Sequence, residues 1–210
     1  WSSRAELQYL PAVISAQALQ GNVALKVATQ ANSPVVQHGS DQTNLTAYAG
    51  QDVSLKGAGS TWVVNSLANQ KWGNKTLSAP SNESGVKSTD AGNLLAKAGI
   101  NPAKPLDMGT TAHQDPVRIH AGSDLAFDGL TLNVVKTSQI SADGDIQGLS
   151  YVGQHQSGTD VTRIVAGGNL TGSRNSNESR QVGVVQVSGP GELQLEAGQD
   201  LNLQNAYGVE

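Results

Sequence analysis

Four carboxylates, Asp124, Asp128, Asp143 and Asp145, lie near one another in the chain and are the first candidates for chemistry. Two carboxyl groups about 5–10 Å apart on one exposed face can act as acid and base on a glycosidic bond. Asp124 and Asp145, however, each sit after a small residue and before an apolar one, in "AGSDLAF" and "ADGDIQGL". An Asp in that position caps the amides of a turn with its own carboxylate, which explains both residues without catalysis.

Other reactive side chains give weaker patterns. "ADGDIQ" partly matches a calcium loop, but calcium-binding repeats supply oxygen ligands from several consecutive units, and only one is present. His38, His113, His120 and His155 show no HxH or HxxxH spacing for zinc, and His120 is expected to alternate with Ile119 at a strand end. The absence of cysteine excludes disulfides and thiolate metal sites. G-x-S-x-G and Walker motifs are also absent, so neither nucleophilic-serine nor phosphate-loop chemistry has a sequence basis. No catalytic residue, metal or cofactor is assigned.

Two binding features remain. Trp62 and Trp72 fall in a chain with only three Trp; exposed, they would stack on sugar rings or anchor a protein partner, and buried, they would build a local core. Five N-x-S/T sequons, at Asn44, Asn74, Asn82, Asn169 and Asn177, are acceptors for glycosylation, in a composition rich enough in Asn, Ser and Thr to produce them by chance.

These residues must be held by thin elements. With 24 Gly, one Phe and one Met, the apolar residues are mostly Val, Leu, Ile and Ala, which suit a pleated, half-buried surface better than thick helices. A recurring unit of small residue, Gly, acid or amide, apolar, any, apolar confirms the direction: "GNVAL" (Asn22), "AGQDVSL" (Asp52), "AGSDLAF" (Asp124), "ADGDIQGL" (Asp145), "AGGNLTG" (Asn169), "GPGELQL" (Glu192) and "AGQDLNL" (Asp200). From Asp124 the steps are 21, 24 and 23 residues, then 8 to Asp200. Steps of 21 to 24 fit one coil of a β-solenoid and the step of 8 fits one side of a coil. Gly and Asp/Asn turn the corner, and the apolar alternation points two side chains inward, where stacking about 4.8 Å apart makes one column. On adjacent coils the four aspartates would approach one another.

The expected fold is therefore all-β, a right-handed parallel β-helix, with a β-sandwich as the alternative for short spaced strands. Residues 1–56 and 116–210 read as coils of one continuous solenoid. The repeat fails in between, so 57–115 reads as an insertion, with a short helix near 90–98 bounded by Ser88–Asp90 and by Gly99 and Pro102. The chain reads as a piece of something longer.

"LQYLPAVISAQALQGNVAL", "NLTAYAGQDVSL", "PVRIHAGSDLAF", "ISADGDIQGL", "GTDVTRIVAGGNLTG" and "VSGPGELQLEAGQDLNL", in that order, resemble large bacterial exoproteins of the filamentous haemagglutinin type, exported by two-partner secretion. The resemblance spans about Leu7 to Leu203, apart from 57–110. It implies a parallel β-helix fibre on a Gram-negative surface, serving adhesion to a host or neighbouring-cell protein or glycan, with an outer-membrane transporter as export partner. The family's N-terminal secretion domain has no counterpart here.

Charge and hydropathy narrow the classes. The net charge is −4 without a Lys/Arg cluster, which speaks against nucleic acid, and no apolar run approaches membrane length. Three functions follow as expectations: an adhesive fibre segment that is not an enzyme, a carbohydrate-active enzyme on the same scaffold, or the stalk of a contact-dependent inhibition exoprotein.

Overall fold

The structure is a computed structural model that describes residues 8–27, 35–37, 43–64, 71–72, 75–76, 115–155, 157–173 and 185–203. All of its regular elements are strands. A six-stranded sheet is built from β2 (Val13–Ala18), β5 (Asn44–Ala49), β9 (Val117–Ala121), β11 (Ser138–Ala142), β14 (Val161–Ala166) and β17 (Glu192–Ala197), side by side in that order. A ten-stranded sheet takes the intervening segments: β1 (Gln8–Leu10), β3 (Val23–Val27), β4 (Val35–Gln37), β6 (Val53–Val64), β10 (Leu125–Val134), β12 (Ile146–Leu149), β13 (Tyr151–Gln154), β15 (Leu170–Gly172), β16 (Val185–Ser188) and β18 (Leu201–Asn202). Every pairing inside these two sheets is parallel. Sandwiches of the immunoglobulin kind are antiparallel, so that alternative falls.

The chain crosses from one sheet to the other and back, adding a new tier each time. Equivalent residues lie directly above one another. In the six-stranded sheet Ala16, Ala47, Ile119, Ile140, Ile164 and Leu195 stack in one inward column. Val23, Val53, Leu125, Ile146, Leu170 and Leu201 form the facing column. In the middle tiers these residues are almost completely buried: Ile119 and Ile140 are 1% exposed and Leu125, Ile146 and Ile164 0%. No single tier could bury its own inward face, and the column between the sheets is the core.

The ten-stranded sheet is bent. β6 and β10 pair in two stretches separated by a register shift between Asp128 and Leu130, and Gly129 takes φ 67° at the break. One tier on, Gly148 also has φ 67°, and a Cβ there would strike the Phe127 carbonyl. Only glycine adopts this backbone without strain. Beyond the bend a second inward column runs through Val35, Trp62, Leu132, Tyr151 and Val185.

The corners explain the repeat. Ala18, Ala49, Ala121, Ala142, Ala166 and Ala197 close the strands of the six-stranded sheet and stack in register. Where the next residue is glycine, adjacent tiers approach so closely that a Cβ on Gly122 would collide with the Gly50 carbonyl of the tier before, and one on Gly198 with that of Gly167. The Glu192 unit is different. Glu192 opens β17 opposite Val161, in the sheet preceding the corner, and Asp200 stacks directly on Asn169, 31 residues earlier. The steps of 23 and 8 were thus one coil divided at a strand start, because "GELQL" carries the same apolar alternation as a true corner unit.

β6 continues to Val64, so strand pairing extends past residue 56 into the stretch read as insertion. Farther along, β7 (Lys71–Trp72) and β8 (Lys75–Thr76) make a small antiparallel pair. The short helix near 90–98 lies outside the described residues, and among those described no helix is long and apolar enough to cross a membrane.

Candidate functional site

Three polar features emerge from this frame: a column along one corner, a buried group inside it, and the outward face of the six-stranded sheet. The corner column contains the carboxylates singled out above. Asn22 Oδ1 accepts the Asp52 N–H at 3.0 Å, Asp52 Oδ1 that of Asp124 at 3.2 Å, and Asp124 Oδ1 that of Asp145 at 2.8 Å. Asp145 Oδ1 accepts both the backbone N–H and the side-chain amide of Asn169, at 2.7 and 3.2 Å, and Asn169 Oδ1 accepts the Asp200 N–H at 3.2 Å. The structure therefore brings Asp124 and Asp145 onto adjacent tiers, as expected, but employs an oxygen of each as a cap for a corner amide. Asp128 and Asp143 are exposed beside the bend and the corner.

The buried group surrounds Tyr151. Its hydroxyl donates to Ser138 Oγ at 2.8 Å, the Ser138 N–H donates to Thr162 Oγ1 at 3.2 Å, and His155 Nε2 lies 2.8 Å from Thr162 Oγ1. Burial pushes the Tyr151 phenol up to about 12, against the pull of its hydroxyl partners. Burial also lowers the His155 pKa, partly offset by the Asp160 charge. Tyr151, Ser138, Thr162 and His155 are each 0% exposed, so no substrate reaches this network. Nearby, Lys136 is buried and its Nζ donates to the Thr43 carbonyl at 2.7 Å. Desolvation brings its pKa down to about 8, with Asp115 opposing and Arg118 assisting.

The outward face is accessible. Gln17, Tyr48, His120 and Ser141 form one outward column, and Thr46, Arg118 and Gln139 stand beside them, lining a shallow open groove. The Tyr48 and His120 rings stack at 5.2 Å with 30° between their planes, and His120 Nδ1 lies 2.9 Å from Ser141 Oγ, which fixes the imidazole. At the other end of the face an exposed bidentate pair joins Arg163 to Glu196, at 3.0 and 2.9 Å. This pairing raises the Arg163 pKa and lowers that of Glu196.

No family model, curated protein or solved structure matches the chain.

Trp62 belongs to the main core. It is 2% exposed, pairs in register with Val35 and Leu132, and as placed offers no ring to a partner. It occupies an inward position because strand pairing resumes after the bend of β6, which the failing repeat motif concealed. Trp72 lies on β7, and its side chain is outside what the structure describes. Asn44 opens β5 with Oδ1 accepting the Leu45 N–H at 2.9 Å, Asn169 is part of the corner column, and the sequons at Asn74, Asn82 and Asn177 lie outside the described residues. His120 alternates with buried Ile119 as expected, while His38 and His113 fall outside. Among the described residues no group of three His, Cys, Asp or Glu could hold a metal. Tyr48 and Arg118 were not singled out in the sequence. Their signal was the outward position in "LTAYA" and "VRIHA", readable only once the inward one is known.

Proposed function

We propose that the chain is a structural and adhesive segment of a secreted fibre on a Gram-negative bacterial surface, built as a right-handed parallel β-helix of the filamentous haemagglutinin type. The observation that carries the reading is the corner column from Asn22 to Asp200, in which each tier caps the next by the same side-chain-to-amide bond. A repeated bond of this kind makes a rod that extends along one axis and displays long flat faces. Such a scaffold contacts a partner over many weak points at once. The partner in this reading is a protein or glycan of a host or neighbouring cell, and an outer-membrane transporter exports the full-length chain.

Enzymatic chemistry has less support, because the carboxylates that come together are committed to the turn. The purified chain coated on beads is expected to retain cells above uncoated beads and to lose them to soluble chain in competition. Beads that retain no cell type would end the adhesive reading. Turnover of any polysaccharide that Asp145→Asn abolishes would replace it with an enzymatic one.

A further inference from the structure

The groove on the six-stranded sheet combines three kinds of group within reach of one another. The Tyr48–His120 stack is a flat aromatic surface, with Tyr48 39% exposed and the imidazole held against Ser141. Arg118 stands two residues from His120 on β9, so its guanidinium emerges on the same face. Gln17 and Gln139 supply amides on the flanking strands β2 and β11. Among the described residues no carboxylate lines this groove, although the chain as a whole carries a net charge of −4. The face's glutamates, Glu192 and Glu196, stand on β17 at the far edge of the sheet, and Glu196 is bonded to Arg163.

We propose that this face binds a linear polysaccharide of uronic acid units, which deepens the adhesive reading and rests on it. The aromatic pair takes the C–H face of a sugar ring. Arg118 takes the ring's carboxylate in planar, bidentate fashion, and the glutamines exchange hydrogen bonds with hydroxyls. The groove crosses β2, β5, β9 and β11, three strand steps of about 4.8 Å each. It is open along its length, which suits an extended polymer better than an enclosed small molecule. Among the described residues it is an open surface rather than the enclosed pocket in which a protein partner would seat its anchor residue.

Titration calorimetry on the folded chain with a short oligogalacturonate, a neutral cello-oligosaccharide of equal length and a sulfated oligosaccharide tests this. The oligogalacturonate is expected to bind, the neutral sugar much more weakly. Arg118→Gln should weaken binding about tenfold, the scale of a lost charge-assisted bond, and Tyr48→Ala by a similar factor. Val161→Thr, an exposed change on β14 outside the groove, should leave it unaltered. Both groove side chains are exposed, so their removal leaves the core intact. Equal binding of the neutral sugar, tighter binding of the sulfated one, or full affinity in either groove variant overturns the proposal. Cell adhesion without oligogalacturonate binding removes this inference alone. Oligogalacturonate binding without adhesion upholds the subsite and removes the adhesive reading.

Discussion

The Asp124 carboxylate accepts the backbone N–H of Asp145 at 2.8 Å, across 21 residues of sequence and one tier of structure. Two residues that look like an acid and a base are thereby turned into a corner and its cap. The same relationship recurs from Asn22 to Asp200, and its contribution to stability is measurable one tier at a time.

Asp145 holds two donors of Asn169, the backbone N–H and the side-chain amide. Asp145→Ala leaves both without this acceptor and is expected to cost about 1–2 kcal/mol, whereas Asp145→Asn keeps an Oδ1 and costs less. Urea unfolding of the two variants checks the order. An alanine variant as stable as the parent would show that the column contributes nothing.

Ile140 is 1% exposed and stacked between Ile119 and Ile164. Ile140→Ala should destabilise by about 2–5 kcal/mol, through lost burial and the cavity left between two tiers. The denaturant midpoint reads this directly, and a loss below about 1 kcal/mol would mean that the tiers collapse onto the gap.

Gly148 and Gly21 make a matched pair. Gly148 has φ 67° and faces the Phe127 carbonyl, while Gly21 has nothing within 4 Å of a Cβ. Gly148→Ala is expected to cost more than about 1 kcal/mol and Gly21→Ala to stay within about 0.5 kcal/mol of the parent. Thermal melts that fail to separate the two variants would contradict the bend assigned to Gly148.

Lys136 gives a pH dependence with a defined sign. Its folded pKa is lowered from 10.5 to about 8, so between these values the unfolded chain holds a proton that the folded one has released. Stability rises with pH wherever the unfolded state binds more protons, and the parent should therefore gain on Lys136→Met from about pH 8 to 10.5. Tyr151 acts in the opposite sense, since its pKa is raised from 10.0 to about 12 and its contribution is lost through that window. Unfolding free energies measured from pH 7 to 11 should show a parent-minus-variant difference that climbs and then levels; a flat difference would refute the Lys136 assignment.

The periodic part of the fold was legible because each tier repeats the same demands. Gly at the corner, a capping side chain and inward apolar alternation are required again in each tier because it stacks on the last, so "AGQD" and "AGSD" recur and are visible as a repeat. Glu192 misled for the same reason: a Gly followed by apolar alternation opens a strand as readily as it turns a corner. The bend was harder to see. Gly129 and Gly148 each stand inside an apolar run, a position that marks a break in a strand, but nothing local says that pairing resumes beyond it. From sequence Trp62 therefore reads as part of an insertion, although it completes the column of Val35 and Leu132. Tyr48, Arg118 and His120 come from strands 72 residues apart at the equivalent corner, and no spacing rule could have joined them. Lys136 was invisible because lysine in a turn is ordinarily solvated, and its burial depends on the Thr43 carbonyl 93 residues earlier.

Every bond of the corner column runs in one sense: the acceptor side chain always belongs to the earlier tier and the donor amide to the later one. The column thus has an arrow. The backbone answers in the opposite sense, for the amides of Val23, Val53, Leu125, Ile146 and Leu170 donate to the carbonyls of the column residues one tier later. Each corner is thus stitched to its neighbour from both sides, and the two ends of the rod present different unfilled groups.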